Sequence, residues 1–441
     1  MNTAMAAMES HPVRLVVEDD LQRNRLTVFF RLILAIPHLI WVTLWSIAAL
    51  LVSIVNWFAT LFLGQPPAAL HRFLCAYIRY TVHLSAYLSL AANPFPGFTG
   101  EAGSYPIDVR LPSEPQPQSR WKTLIRIVLA LPALVLASLL GGGVGIPYSY
   151  AGGRSGGSGR TDFSFGSGGL FGFLAGVCAF LGWFASLALG RMPRGLRDAG
   201  AYGIGYGGQV RAYALLITDR YPSSDPTALL QSVPPLPEHP VRLVGDAQDL
   251  RRSRLTVFFR LLLLVPHLVW LYLWSVAALL TAIVNWFVAL ATGTPARSLN
   301  HFLCRFIRYQ LHVYAFGSLA ANPFPGFTGA AGTYPLDLVL PEEPQRQNRW
   351  KTFFRFFLAI PAFIVGSALA WALYVCAFFM WFAALITGSA PWGLRNLSAY
   401  ALRYSAQTNA YLFLVTDRYP NASPLEGGPE PEQLELEPTY A

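Results

Sequence analysis

Two histidines and two asparagines stand in otherwise apolar stretches, and each has a twin. His38 follows Pro37 as His267 follows Pro266, and Asn56 precedes Trp57-Phe58 as Asn285 precedes Trp286-Phe287. An imidazole or amide in such a stretch is either a helix–helix hydrogen bond or a group turned to a ligand. A second set is basic. His301, Arg305, Arg308 and His312 are spaced four, three and four residues apart, which stacks them along one stripe of a helix. The matching stripe nearer the N-terminus is Arg72, Ala76, Arg79 and His83. Arg31 and Arg260 stand at the start of apolar runs, where a guanidinium snorkels to lipid headgroups.

Acid chemistry is missing from these stretches. No Asp or Glu lies between Asp20 and Glu101, or between Asp249 and Asp337. That argues against paired-carboxylate hydrolysis, carboxylate-held metals and an ion-coupled carrier with an acidic group at mid-membrane. Cys75 and Cys304, and Cys178 and Cys376, lie in apolar surroundings far from their copies and read as small buried side chains. No Walker loop, dinucleotide fingerprint, zincin motif or nucleophile elbow occurs. The glycines at 203, 205, 207 and 208 read as close helix packing. The expectation is therefore no catalytic residue, no metal, no cofactor and no enzyme.

The elements that position these residues come in four copies. Arg25, Arg31 and Pro37 recur as Arg120, Arg126 and Pro132, as Arg254, Arg260 and Pro266, and as Arg349, Arg355 and Pro361. Trp57-Phe58 recurs as Trp183-Phe184, Trp286-Phe287 and Trp381-Phe382. The octapeptide Asn93 to Gly100 returns unchanged as Asn322 to Gly329. Such repetition sets the architecture. The copies are unequal: Ala133 and Ala362 replace the histidines, and Gly182 and Met380 replace the asparagines. Polar intramembrane residues are thus concentrated in modules one and three. They read either as two equivalent sites related by pseudo-symmetry or as helix–helix bonds and interface anchors.

With 54% hydrophobic and 12% charged residues and mean hydropathy +0.41, the composition is that of an integral membrane protein. The net charge of +9 clusters at the edges of the apolar runs, which suits an anionic cytoplasmic leaflet and gives no basic domain for nucleic acid. The fold class expected is all-α, with four tandem modules of helical hairpin plus interfacial helix and short β-strands at the membrane surface. The hairpin, turning near Trp45-Ser46, is preferred to a single long tilted helix on the strength of module two. There an insertion of 31 residues, Gly- and Ser-rich around 141–169, interrupts the run, and a lipid-exposed helix cannot be broken at its middle. Modules span 12–104, 105–222, 240–333 and 334–420. A Pro-rich linker, 223–239, joins the halves, and an acidic tail, 421–441, reads as disordered.

The segments Arg25 to His38 and Asn56 to Ala59, together with Thr218-Asp219-Arg220-Tyr221-Pro222 and Thr416-Asp417-Arg418-Tyr419-Pro420, resemble a bacterial, mostly actinobacterial, membrane family, domain of unknown function 4389. The resemblance covers residues 12–420 and implies a bacterial inner or plasma membrane location. It carries no catalytic residues. In the odd modules the Thr-Asp-Arg-Tyr-Pro motif gives way to Asn-Pro-Phe-Pro-Gly-Phe.

The leading expectation is a non-enzymatic scaffold that binds anionic lipid headgroups at the cytoplasmic face. Its candidate lipid- or ligand-binding residues are Arg31, His38, Asn56, Arg72, Arg79, His83, Arg260, His267, Asn285, His301, Arg305, Arg308 and His312. The rivals are a small-molecule or ion transporter or channel with two equivalent polar sites, and an accessory subunit with a membrane protein partner.

Overall fold

Each module opens with a one-turn helix. Asn24 starts the first by accepting the Leu26 and Thr27 amides at 2.9 and 3.4 Å, and Asn348 starts the last in the same way. The computed structural model describes residues 11–141, 173–231, 236–245, 250–341 and 343–425. The insertion beyond Gly141, residues 232–235 of the Pro-rich connection and the tail from 426 lie outside them. The fold is mostly helical with few short strands.

Modules one and two build one compact unit, modules three and four another, and the segment Ser224–Pro226 belongs to the second. In the first unit strand β1 (Arg14–Val17) leads to α1 (Arg25–Phe29), α2 (Arg31–Leu34), α3 (Ile36–Leu63) and α4 (Ala68–Leu88). Strand β2 (Ile107–Arg110) leads to α5 (Arg120–Leu124), α6 (Arg126–Leu140), α7 (Phe173–Leu189) and α8 (Arg194–Ala214). Helix α9 (Pro226–Leu229) and β3 (Leu230–Gln231) follow. The second unit runs β4 (Arg242–Gly245), α10 (Arg254–Phe258), α11 (Arg260–Thr292), α12 (Arg297–Gly317), β5 (Leu336–Val339), α13 (Arg349–Phe353), α14 (Arg355–Thr387) and α15 (Trp392–Leu412).

The strands do not join into one sheet. β2-β1-β3 forms one sheet, with Leu15 opposite Val109, and β4-β5 forms another, with Leu243 opposite Leu338. Leu15, Val17, Ile107 and Val109 are buried, so alternate residues of the first sheet face the core. Against it pack α4 and α8, with 14 and 16 of their 21 residues buried. These are central helices, not the interfacial ones expected. A Cβ on Gly203 would collide with the Leu140 carbonyl oxygen, so Gly203 serves close helix packing.

In modules one, three and four the expected hairpin is absent. Arg31–Leu63, Arg260–Thr292 and Arg355–Thr387 are each a 33-residue helical path, long and apolar enough to cross a membrane. At the expected turn Ser46 simply donates back to the Thr43 carbonyl at 2.8 Å, inside the helix. No glycine or proline interrupts Val42 to Leu63, so helix propagation meets no obstacle. Pro37 sits in the first turn of α3, where its missing N–H costs nothing. Gly64, Gly293 and Gly388 end the paths in the left-handed conformation. Only 22%, 17% and 28% of the apolar stretches is buried, so each long helix is held to its unit by one narrow stripe. On α3 that stripe is His38, Val42, Ser46, Ala49, Asn56 and Thr60.

Candidate functional site

The four repeated arginines at the start of the long paths are inside the protein. Arg31 donates to the carbonyls of Tyr87, Ala92 and Asn93 at 2.7, 3.2 and 3.1 Å, and to Asn93 Oδ1 at 3.3 Å. Arg260 repeats this with Phe316, Ala321 and Asn322. In the even modules the amide is replaced by a carboxylate: Arg126 reaches Asp219 Oδ1 at 2.9 Å and Arg355 reaches Asp417 Oδ1 at 2.6 Å. Each guanidinium also lies 4.3 to 4.5 Å over an aromatic ring, Tyr87, Tyr213, Phe316 or Tyr411. The last carbonyls of a helix lack intrahelical partners, and its C-terminal dipole favours a cation. Arg31, Arg260 and Arg355 therefore clamp the C-terminal end of α4, α12 and α15, and Arg126, over the Tyr213 ring, holds Thr218 O just past the end of α8. Arg31 and Arg260 do not snorkel to headgroups.

The histidines and asparagines are equally committed. His38 Nδ1 lies 2.9 Å from the Tyr80 hydroxyl, and its ring stacks on Phe98 at 4.3 Å beside Phe95 at 4.5 Å. His267 does the same with Tyr309, Phe327 and Phe324. Each imidazole thus pins the loop formed by the repeated octapeptide. Nε2 of both rings is buried without a hydrogen-bond partner among the described residues. Asn56 Nδ2 donates to the Leu215 carbonyl at 3.2 Å, and Asn285 Oδ1 accepts the Ala296 amide at 2.9 Å. Because α3 is continuous, His38 and Asn56 lie about 27 Å apart along it. They do not form one site, and neither do His267 and Asn285 on α11.

The basic stripes fold back on the sheets. His83 Nε2 meets Asp108 Oδ1 at 2.8 Å, and His312 Nε2 meets Asp337 Oδ1 at 3.1 Å. Asp108 also takes the Gly103 and Val109 amides at 2.6 and 2.7 Å. Burial pushes the Asp108 carboxyl up, but the His83 bond and these amides outweigh it and hold it below the usual carboxylate range; Asp337 is lowered in the same way, with burial again opposing. Arg308 donates to the Leu338 carbonyl and Arg305 to the Thr328 carbonyl, both at 3.2 Å. Arg79 is half-buried, and only Arg72, His301 and Arg305 of these residues are exposed. Asp108 and Asp337 escaped the sequence reading, although each stands 25 residues after its histidine.

Further groups that face outward are on the lead helices α1, α5, α10 and α13. Trp121 and Trp350 are 79% and 76% exposed, the highest values for large apolar side chains among the described residues. Arg120 and Lys122 flank the first and Arg349 and Lys351 the second. Lys122 pairs with Asp219 at 2.9 Å, and Lys351 with Asp417 at 3.6 Å. Each lead helix is held at the far end of its partner module's long path. Trp57 Nε1 donates to Thr123 O, Trp183 to Val28 O, Trp286 to Thr352 O and Trp381 to Val257 O, at 2.8 to 3.2 Å. In return Arg25, Arg254 and Arg349 donate to Ala188 O, Ile386 O and Ala291 O. The pairing is reciprocal: module one holds two, and module three holds four.

A family model described as a domain of unknown function, DUF4389, matches residues 25–99, 167–224, 254–328 and 349–423. The chain belongs to the DUF4389 family. No curated protein and no solved structure matches it. The four DUF4389 stretches follow the four modules. The second begins at residue 167, so Arg126 lies outside it, yet Arg126 holds the chain just past the end of α8, on Thr218 O and Asp219.

Proposed function

We propose that this DUF4389 chain is a non-enzymatic membrane scaffold that binds anionic lipid headgroups, in a bacterial inner membrane, through its lead helices. The observation that carries the reading is the exposed basic-aromatic set Arg120-Trp121-Lys122 and Arg349-Trp350-Lys351, next to long helices that expose apolar side chains along most of their surface. Indole rings settle at the headgroup level, and each Lys or Arg near an anionic surface contributes about 1 kcal/mol. The interior polar residues are buried and each bonds to the chain at least once, which leaves these exposed groups, with Arg72 and His301, to meet headgroups.

Flotation with phosphatidylglycerol and with phosphatidylcholine vesicles tests it. Retention should be stronger on the anionic vesicles and weaken with salt. Trp121→Ala with Lys122→Gln, combined with Trp350→Ala and Lys351→Gln, should remove most of that difference. Equal retention on neutral and anionic vesicles sinks the proposal.

A further inference from the structure

We infer that the long apolar helices of each unit lie parallel to the membrane plane, within one leaflet, and do not cross the bilayer. This rests on the membrane reading above, and three independent observations carry it.

The first is length. A path of 33 residues is about 50 Å long, and the hydrocarbon core is about 30 Å thick. Apolar exposure continues from Leu32 to Leu63, 68% and 65% exposed, with no charged residue between them. Covering all of it in a spanning helix requires a tilt of about 50°, outside the usual range of about 0–40°. A helix lying in the plane has no such mismatch. Its diameter of about 10–12 Å fits within a single leaflet's hydrocarbon of about 15 Å.

The second is where the lead helices sit. α1 precedes the start of the Arg31–Leu63 path, whereas α5 is fastened at its far end, with Trp57 on Thr123 O and the Gln118 amide on Gly64 O, both at 2.8 Å. The second unit repeats this with α10 and α13 about the Arg260–Thr292 path, where Trp286 meets Thr352 O and the Gln347 amide meets Gly293 O. If the paths spanned, the two lead helices of a unit would face opposite sides of the membrane. Both carry basic residues, and basic residues favour one side. In the plane, both reach the same headgroup layer.

The third is the point at which module two is interrupted. α6 ends at Leu140 and α7 begins at Phe173, which correspond to Trp45 and Ile47 of α3. Gly141 packs directly on Ala175, so the two pieces meet at the middle of the path. The chain leaves there through a sequence that includes Arg154, Arg160 and Asp162. In a spanning path residues 141 and 173 would both lie at the centre of the hydrocarbon, and a connection whose sequence carries Arg154, Arg160 and Asp162 would start and end there, where charge is costly. In the plane both ends are within a helix diameter of water.

The test uses the full chain. Gln22 and Ser119 are exposed and lie just ahead of α1 and α5, at opposite ends of the α2–α3 path. Gln22→Cys and Ser119→Cys would each be treated with a membrane-impermeant maleimide in sealed, right-side-out vesicles, before and after permeabilisation. The four native cysteines are buried, so the unsubstituted chain is the unlabelled control. Both positions should label from one and the same side; labelling from opposite sides overturns the inference. Oriented circular dichroism of the unsubstituted chain in aligned bilayers gives a second readout. The exciton band polarised along the helix axis should persist with light along the membrane normal, and its loss also overturns the inference. Release of the chain by alkaline carbonate removes the membrane reading itself, and does so without reference to either label or spectrum.

Discussion

At the residue scale, the decisive feature is a buried charge without a fixed counterion. Arg31 and Arg260 are 3% and 1% exposed, and among the described residues their hydrogen bonds go to carbonyl and amide oxygens and no carboxylate pairs with them. Arg355 meets the Tyr411 and Thr416 carbonyls plus Asp417, and Arg126 the Thr218 carbonyl plus Asp219. The even-module aspartate is therefore an optional partner, because the odd modules place Asn93 or Asn322 there. Asp219→Asn should cost less than about 1.5 kcal/mol, since an acceptor oxygen remains and the pair lost with Lys122 is half exposed. Arg126→Met should cost more, about 1–3 kcal/mol for each buried acceptor it strands, because the Thr218 carbonyl and Gln118 Oε1 lose their donor while Asp219 keeps Lys122. Denaturant titrations in detergent, followed by circular dichroism, compare the two, and equal losses would refute this ranking. From the sequence these arginines looked like headgroup anchors. An arginine at the edge of an apolar run serves a lipid phosphate or a helix end equally well, and only the position of the α4 terminus decides between them.

At the element scale, the loop from Asn93 to Gly100 shows why an octapeptide can repeat unchanged. Phe95 and Phe98 enclose His38, Trp41 Nε1 donates to the Phe98 carbonyl at 3.0 Å, and Tyr105 caps the Pro94 carbonyl at 2.7 Å. Its last glycine has φ +65°, and a Cβ there would run into the Ala76 carbonyl oxygen of α4. Gly329 is placed identically against Arg305 O. Gly100→Ala should therefore destabilise the first unit by at least about 1–3 kcal/mol, the cost of a left-handed non-glycine residue before the clash is added. The same change at Gly103, where φ is +72° and nothing lies within 4 Å, isolates the backbone part. A loss at Gly100 no larger than at Gly103 would remove the packing explanation. The helix stops, the strands with their alternation and the glycine packing were legible in the sequence, because each depends on local sterics or periodicity. The hairpin was not. The premise drawn from the module-two insertion, that the middle of the run must reach water, is satisfied by a continuous helix lying in the plane as well as by a turn, and hydropathy alone cannot separate the two.

At the scale of the whole molecule, four repeats are two interlocked pairs, and that pairing dictates the smallest folding unit. Module one on its own would leave the Trp57 indole without the Thr123 carbonyl, the Gly64 carbonyl without the Gln118 amide, and β1 without β2. It would also expose the faces of α4 that pack against α8, where Arg211 reaches Thr81 Oγ1 at 2.8 Å. These contacts are non-local, so nothing within residues 12–104 announces them; the signal is the matched substitution of module two against module one. Only the inequality of the pair, histidine and asparagine in one member and alanine and glycine in the other, was visible beforehand. A fragment of residues 1–231, which includes β3 with its parallel pairing to β1, should fold in detergent with the helicity of its half and one cooperative melting transition. A fragment of residues 1–104 should be helical in its apolar run but melt without cooperativity, because a long helix alone is stabilised by apolar surroundings while the polar central helix and the lone strand are not. Circular dichroism melts of the two fragments, with protease resistance of the α4 segment as a second readout, decide the matter. A cooperative, protease-resistant 1–104 fragment would show that the module folds alone and that the reciprocal bonds merely join finished domains.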